Sequence, residues 1–291
     1  MPNLKFLSKK INKRAKTQSQ QPGKQHKMNP RPLVDDANYT GSNKLLGKVA
    51  IITGGDSGIG NAVAIFFAKE GANLVISYLN ETRDAKKVKQ QIEALGRQCL
   101  LIKGDISKVN VCKKIISKTL KTYSRIDILV NNAGEQFPQD NFEDITPKQL
   151  FKTFNVNVFS FFYMIHAALP HLKKGASIIN TSSITAYKGS EHLIDYSATK
   201  GAIVALTRSL SESIIDRGIR VNTVAPGPIW TPLIPASFSK KHLEKFGENV
   251  PMKRMGQPEE VAPCYVFLAS DDSSYMSGQV LHPNGGVIVN S

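Results

Sequence analysis

The chain has 291 residues, of which 41% are hydrophobic and 21% are charged, so it can bury a large core and is not disordered throughout. No apolar run approaches the roughly 18 uncharged residues that a membrane span requires. The three cysteines, Cys99, Cys112 and Cys264, are widely spaced, which argues against a disulfide framework or a zinc site. We expect small buried thiols in a reducing compartment, a cytoplasmic location and no bound metal.

The formal net charge of +15 is unevenly distributed, because residues 1–34 contain nine lysines and arginines and no acidic residue. This arm is poor in apolar residues, so we predict disorder at its start, and it lacks the apolar stretch of a signal peptide. A solvated tail is favoured over a tether to nucleic acid or an anionic surface. The Pro and Gly residues of segment 21–30 suggest an extended strap on a neighbouring surface. We divide the chain into an arm and strap, 1–43, and a folded domain, 44–291.

From Lys44 onward, short apolar runs alternate with longer stretches of helical period, the pattern of βαβ units around a parallel sheet. The pattern predicts an α/β fold: a single doubly wound Rossmann domain with a seven-stranded parallel sheet flanked by helices. The predicted strands are 49–53, 73–77, 99–104, 127–131, 177–181, 220–225 and 280–281. The predicted helices are 59–70, 84–95, 109–123, 152–169, a helix that carries Tyr196 and continues to Asp216, and 259–269.

The first predicted strand runs directly into a glycine-rich turn, Thr53-Gly-Gly-Asp-Ser-Gly-Ile-Gly60. Glycine lets the backbone approach a pyrophosphate closely, and the helix that follows directs its first N–H groups and positive dipole end at that anion. Such a turn alone is weak evidence, but its place between the first strand and the first helix predicts a nucleotide site. The residues we assign to it are Gly54, Asp56, Ser57, Gly58, Ile59 and Gly60.

Tyr196 and Lys200 are four residues apart, so in a helix both side chains lie on the same face. A phenol has an ordinary pKa near 10, and a lysine ammonium within a few ångströms lowers it toward the neutral range. Ser183, on a neighbouring element, offers a hydroxyl that can polarise a carbonyl. A lone Tyr-x-x-x-Lys pair often arises by chance, so the remaining motifs must decide whether it is functional.

Six motifs occur together and in order: the glycine-rich turn, Asn131-Asn-Ala-Gly134, Asn157, Ser183, Tyr196-x-x-x-Lys200 and Pro226-Gly227. With them, residues 46–286 resemble the short-chain dehydrogenase/reductase family. Segments 54–58, 225–231 and 251–258 are similar to a subgroup of aldehyde reductases and general stress proteins. The resemblance implies hydride transfer between a nicotinamide and a carbonyl or alcohol substrate, with aldehyde or ketone reduction favoured. It also implies a homotetramer assembled through long central helices.

The resemblance gives each residue of the catalytic set a role. Tyr196 is the general acid/base, and Ser183 donates a hydrogen bond to the substrate oxygen. Lys200 lowers the pKa of Tyr196, helped by the cationic nicotinamide, and holds the nicotinamide ribose. Ser182 is the nearest rival to Ser183, which is preferred because its thirteen-residue distance from Tyr196 matches the family. Asn157 is expected to distort its helix and to hold water that leads from Lys200 to solvent, or else to bond a backbone carbonyl.

The resemblance also implies the remaining cofactor contacts. Asp105 accepts a hydrogen bond from the adenine amino group, unless it is only a helix cap. The amides of segment 131–134 brace the fourth strand, and the small residues there leave room for the cofactor. Thr231 lies near the nicotinamide carboxamide. The other implied contacts are Tyr78, Ile106, Asn132, Ala133, Gly134, Pro226, Gly227 and Ile229, together with Tyr196 and Lys200.

The choice between NADP and NAD follows less directly from the residues. A carboxylate at the end of the second strand would bind the adenosine 2′-OH and repel a 2′-phosphate, and no carboxylate stands there. A basic residue before the second motif glycine would favour NADP, but that place holds Ser57. The next helix offers Arg83, Lys86 and Lys87 against Glu81 and Asp84. We predict NADP or NAD as cofactor, with NADP favoured.

The substrate pocket is expected to mix polar and aromatic groups, with residues 230–246 as its lid. Candidate lining residues are Glu135, Gln136, Phe137, Tyr187 and His192. A 3-oxoacyl thioester reductase and a sugar dehydrogenase remain alternatives to aldehyde or ketone reduction. Two hypotheses from other classes also remain, a non-catalytic nucleotide-sensing module and nucleic-acid binding through the basic arm.

Overall fold

A computed structural model describes residues 15–289, and the predicted disorder at the start of the arm lies outside these residues. Seven strands form one sheet in the order β3-β2-β1-β4-β5-β6-β7, and every pair is parallel. This confirms the predicted fold class. The strands are β1 Val49–Thr53, β2 Asn73–Tyr78, β3 Cys99–Lys103, β4 Ile128–Asn131, β5 Ser177–Thr181, β6 Arg220–Val224 and β7 Val280–Leu281.

The central strands are buried on both faces, which is why they read as apolar runs rather than as alternating patterns. Helices cover both faces of the sheet, as the connections between parallel strands require. The helices are α1 Gly58–Lys69, α2 Thr82–Ala94, α3 Val109–Tyr123, α4 Pro147–Phe154, α5 Ser160–Ala168, α6 Thr185–Lys188, α7 Ile194–Ile214, α8 Lys240–Lys245 and α9 Pro258–Ala269.

Two apolar cores lie on opposite faces of the sheet. In one core, α1 and α9 pack against β1 and β2 around Phe66, Phe67 and Tyr265. In the other core, α3 and α5 pack around Ile115 and Met164. The predicted thiols Cys99 and Cys112 are buried, and Cys264 is partly buried.

The long central helix differs from its prediction. We expected one helix over 152–169, but α4 begins at Pro147, where the Thr146 hydroxyl caps it by accepting from the Gln149 N–H at 3.2 Å. A π-helical turn, Asn155–Phe159, then separates α4 from α5. Helix α5 ends at Ala168, and Pro170 lies in a short 3₁₀ turn after it. Proline at the first helical position is favourable, so the dipeptide Thr146-Pro147 marks the start of this helix in the sequence.

Residues 15–34 lie folded against the domain. They include the predicted strap segment, 21–30, and from here on the whole range 15–34 is called the strap. Ala15 and Met28 are buried against Trp230 and Met255, and the Trp230 Nε1–H donates to the Pro30 carbonyl at 3.0 Å. The strap therefore covers the segment that was predicted to be the lid, residues 230–246. Among residues 15–289, no helix is both long and apolar enough to cross a membrane, and no cluster of three or more His, Cys, Asp or Glu side chains is placed to hold a metal ion.

Candidate active site

A cavity of about 1110 Å³ opens at the carboxyl ends of the strands. It includes the point where the strand order reverses between β1 and β4, which is where ligands bind in doubly wound sheets. Nearly all the predicted site residues line it, and Gly60 and Asn157 are the two exceptions. Of the predicted substrate-pocket residues, Glu135, Gln136 and His192 line the cavity, whereas Phe137 and Tyr187 do not.

Helix α7 presents Tyr196 and Lys200 to the cavity from the same face. The Lys200 Nζ lies 5.3 Å from the centre of the Tyr196 ring and donates a hydrogen bond to the Thr181 carbonyl at 2.9 Å. Ser183, just after β5, lies beside the Tyr196 side chain, and its hydroxyl accepts from the Thr185 N–H at 3.2 Å. The Ser182 hydroxyl instead donates to the Lys200 carbonyl at 2.8 Å, so it is engaged with backbone. The geometry thus brings together Ser183, and not Ser182, with the tyrosine.

The charge states in this structure differ from the expectation that Lys200 lowers the pKa of Tyr196. Burial raises the pKa of Tyr196 to about 12, and the nearby Ser183 hydroxyl opposes this rise only in part. Burial also lowers the pKa of Lys200 to about 7. Both shifts have one cause, since an apolar environment disfavours a phenolate and an ammonium alike. A lysine that is easily neutralised gives the phenol little electrostatic help.

The side chain of Asn157 points to backbone rather than into the cavity. Its Oδ1 accepts from the Glu135 N–H and its Nδ2 donates to the Glu135 carbonyl, both at 2.9 Å. Nδ2 also lies 3.2 Å from the Thr199 hydroxyl. Asn157 lies in the π-helical turn, so the helix is distorted where we predicted. The amide ties the segment after β4 to both central helices.

The glycine-rich turn has the close backbone contacts that its sequence predicted. Gly54 and Gly58 have positive φ values of 63° and 53°. A Cβ on Gly60 would lie 2.2 Å from the Gly54 carbonyl oxygen, so only glycine fits there. The Asn132 Nδ2 donates to the Thr53 carbonyl at 3.1 Å, which braces β1 against the end of β4. These residues fit a dinucleotide, because they form a narrow backbone cradle at the start of α1 that opens on the cavity.

The end of the cavity beyond β2 and β3 contains a carboxylate that the sequence analysis grouped with the charges of the next helix. Tyr78, Asp105 and Ile106 line this end as predicted, and the Asp105 Oδ1 accepts from the Ser107 N–H at 2.9 Å. Glu81 also lines it and is buried, although it stands three residues beyond the end of β2. Its Oε1 has no hydrogen-bond partner among the residues that the structure describes. Glu81 belongs to the short loop 79–81 that directly follows β2, and Leu79 and Glu81 of this loop both line the cavity.

The cationic side chains that favoured NADP lie elsewhere. Arg83, Lys86 and Lys87 line a separate depression, together with His26 and Arg31 of the strap. Asp56 lies in the main cavity, and burial, with a contribution from the nearby Glu81 charge, raises its pKa to about 7. The positive charge of α2 therefore supports a bound 2′-phosphate less directly than the sequence suggested.

The strap reaches the cavity, which the sequence did not predict. Pro22 lines it, and the Gln25 Oε1 accepts from the Gly58 N–H at 2.8 Å, at the first residue of α1. His26 binds Asp84 through its backbone N–H and its ring Nδ1, each at 3.0 Å. The strap therefore connects the glycine-rich turn to the start of α2.

Known proteins are similar to this chain both in sequence and in fold. The sequence model of a family described as enoyl-(acyl carrier protein) reductase matches residues 54–288. A short-chain dehydrogenase from Burkholderia cenocepacia in complex with NADP superposes with a TM-score of 0.79 and 31% identity, covering 84% of this chain and 98% of its own. This chain belongs to the short-chain dehydrogenase/reductase family. It is an NAD(P)-dependent oxidoreductase of carbonyl and alcohol groups, as the resemblance implied.

Two curated relatives are similar over nearly their whole length. NADPH-dependent aldehyde reductase 1, chloroplastic, of Arabidopsis thaliana is 50% identical over 281 residues, which cover 94% of this chain and 98% of the relative. The glucose and ribitol dehydrogenase of Daucus carota is 50% identical over 279 residues, covering 94% and 96%. The named activities of these relatives differ, so the family alone does not define the substrate.

Proposed function

We propose that this protein reduces aldehydes or ketones, with Tyr196 as the general acid and NADPH as the preferred reductant. The observation that carries the proposal is the convergence of Ser183, Tyr196 and Lys200 on one wall of the cavity, with Lys200 anchored on the Thr181 carbonyl. A pKa of about 12 keeps the Tyr196 phenol protonated at neutral pH, which suits donation of a proton to a carbonyl oxygen.

The residues of the chain have complementary tasks in this reduction. Ser183 donates a hydrogen bond to the carbonyl oxygen and stabilises the charge that develops there. Tyr196 then gives its proton to that oxygen. Lys200 lies against the phenol and favours the phenolate that remains whenever its own ammonium is charged. Asn157 fixes the backbone of Glu135 beside this group. When bound, the nicotinamide cofactor supplies the hydride.

Different groups of cavity residues would contact different parts of the proposed cofactor. The glycine-rich turn, from Gly54 to Gly60, would hold the pyrophosphate with its backbone. Tyr78, Asp105 and Ile106 would hold the adenosine. Small residues after β4 would leave room for the ribose and nicotinamide, and those after β6 would border the carboxamide: Asn132, Ala133, Gly134, Pro226, Gly227, Ile229 and Thr231. The preference for NADPH is supported by the Arabidopsis relative, while Glu81 opposes it.

The test is a matrix of NADPH and NADH against a panel of aldehydes and ketones. We expect Tyr196→Phe to lower turnover by about 10²- to 10⁴-fold, because the proton donor is lost. Tyr275→Phe is the matched control, since Tyr275 is fully exposed and should keep wild-type activity. Wild-type turnover in Tyr196→Phe would contradict the mechanism, and a ratio of NADPH to NADH activity near one would contradict the cofactor preference.

We also propose a cytoplasmic homotetramer. The supporting observation is a row of exposed aromatic side chains on the central helical segment formed by α4, the π-helical turn and α5. Phe151 is 65% exposed, Phe159 37% and Phe162 50%. Large apolar side chains grouped on one helical face are typical of a buried interface.

A further inference from the structure

Glu135 and Gln136 form an adjacent donor and acceptor pair in the cavity wall that the proposed mechanism does not use. The two residues are 9% and 3% exposed, and both line the cavity. Neither the Glu135 Oε1 nor the Gln136 Nε2 has a hydrogen-bond partner within residues 15–289. A buried acceptor beside a buried donor, both unpaired, is unfavourable unless a ligand satisfies them.

The backbone of this pair is held on both sides, so its side chains have a defined position. Asn157 bonds both the N–H and the carbonyl of Glu135 at 2.9 Å. Gln21 of the strap does the same for Gln136: its Oε1 accepts from the Gln136 N–H at 3.3 Å, and its Nε2 donates to the Gln136 carbonyl. The Gln21 Nε2 also lies 3.3 Å from the Ser237 hydroxyl in the lid. One amide from the catalytic side and one from the strap thus fix the pair.

The pair also lies next to the reacting groups. A Cβ on Gly134, the residue just before Glu135, would lie 3.6 Å from the Lys200 Nζ. A substrate whose carbonyl reaches Tyr196 and Ser183 therefore places its neighbouring carbon atoms near Glu135 and Gln136. The second carboxylate oxygen, Oε2, is 3.6 Å from the Lys152 Nζ, which leaves Oε1 as the unpaired acceptor of this buried carboxylate.

We propose that Glu135 and Gln136 bind hydroxyl groups of the substrate, so that the enzyme acts on hydroxylated aldehydes and the corresponding polyols rather than on simple alkyl aldehydes. A hydroxyl group donates to a carboxylate and accepts from an amide, which is what this pair offers. An alkyl chain in the same place leaves both groups unpaired. Gln21 is a positioning residue, because it acts through the backbone of Gln136. This inference rests on the proposed carbonyl reduction.

Substrates matched in carbon number test the inference on the wild-type enzyme. We expect kcat/KM with NADPH to be about 10- to 100-fold higher for glyceraldehyde than for propanal, and for erythrose than for butanal. Equal values within each pair would overturn the inference and leave the proposed function standing. Absence of activity on all four aldehydes, and on the wider carbonyl panel, would overturn the proposed function and the inference with it.

Variants assign the effect to the two residues. We expect Gln136→Leu to lower kcat/KM for glyceraldehyde by about 10- to 100-fold and to leave propanal within about two-fold of wild type. Glu135→Leu should discriminate in the same direction, because it removes the carboxylate acceptor. A loss of the same factor for both aldehydes would indicate a structural role and overturn the assignment. If Gln136→Leu does not fold, the polar variant Gln136→Glu, which removes the donor, takes its place under the same criteria.

The role of the strap has its own readout. Gln21→Leu should raise KM for glyceraldehyde by about three- to ten-fold while kcat and the KM for NADPH stay within about two-fold of wild type. The control is Gln20→Leu, since Gln20 is the exposed neighbour in the same strap and should behave like wild type. A Gln21→Leu variant with unchanged KM for glyceraldehyde would exclude the positioning role.

Discussion

Lys200 is subject to two opposing demands, since its proposed role requires a charged ammonium and it lies in a site where burial disfavours charge. Its pKa falls from 10.5 to about 7 because of burial. Its hydrogen bond to the Thr181 carbonyl does not restore the ordinary pKa. The native state therefore binds fewer protons at Lys200 than the unfolded chain does between pH 7 and 10.5. The contribution of this residue to the free energy of unfolding rises with pH across that window.

Lys200→Met should show this directly. We expect it to abolish activity and to stabilise the protein at pH 7 by about 1–3 kcal/mol, because a buried apolar side chain replaces an ammonium that burial disfavours. The rise in stability between pH 7 and 10 should also become flatter. Urea unfolding at pH 7 and at pH 9.5 measures both effects. Lys118→Met is the control, since Lys118 is exposed on α3, and a variant at Lys200 no more stable than this control would contradict the expectation.

Among single residues, the sequence predicted those whose spacing along the chain is required by the chemistry of the site. Tyr196 and Lys200 share a helical face, and the glycines of the turn lie where no side chain fits. Glu81 was counted among the charges of the next helix and not as a cavity residue, because the prediction looked for a carboxylate only at the end of β2, whereas the buried carboxylate comes from the loop beyond it. Whether an amide such as Gln136 has a partner depends on residues far away in the chain, which spacing does not reveal.

Among the elements, the π-helical turn is the one whose shape serves the site. It lets Asn157 point to the segment after β4, where its amide satisfies the N–H and the carbonyl of Glu135. A regular helix would offer this asparagine its own backbone instead. The π-helical turn interrupts the regular helix, and this interruption lets Asn157 hold the backbone of the cavity wall in place.

Asn157→Ala should therefore affect both stability and activity. We expect a loss of about 1–3 kcal/mol, because two buried backbone groups of Glu135 lose their partner, together with lower kcat. Asn155→Ala is the matched control in the same turn, because the Asn155 side chain has no hydrogen bond within residues 15–289, and its effect should stay within about 0.5 kcal/mol. Thermal unfolding and steady-state kinetics provide the readouts, and equal effects of the two changes would refute the special role of Asn157.

The elements themselves were largely predictable, because buried parallel strands and amphipathic helices have distinct periods. Apart from the central helix, the predicted strand and helix ranges match the structure or differ from it by only one or two residues at an end, as in β2 and α1. The break in the central helix was predicted only as a local distortion at Asn157. The short helix α8 in the lid was not predicted, since a six-residue segment is too brief for a reliable period.

For the whole molecule, the proposed tetramer gives the exposed aromatic face a definite test. Phe162→Lys should lower the mass in solution from four chains of 31.9 kDa to two or one, because a charge replaces a ring in the proposed interface. Phe142→Lys is the control, since Phe142 is 69% exposed on a 3₁₀ turn outside the central helical segment. Light scattering measures both variants. A wild-type monomer, or a Phe162→Lys tetramer, would exclude this interface.

How the strap attaches to the rest of the molecule could not be read from the sequence. Its composition suggested an extended segment, but its partners are single atoms up to 224 positions away, as in the hydrogen bond from the Leu33 N–H to the Gln257 side chain. No local pattern encodes such a contact.

These separations along the sequence determine the order in which parts of the protein can fold during synthesis. The strap is synthesised before the domain that it contacts, and Trp230, which binds Pro30, follows 200 residues later. At ordinary rates of synthesis the strap waits roughly 10–40 s for that partner. Strands and helices form far faster than this, so the strap docks after most of the sheet exists. A nascent chain that stops before Gln257 therefore already contains Tyr196 but lacks a partner that the strap needs in order to dock fully.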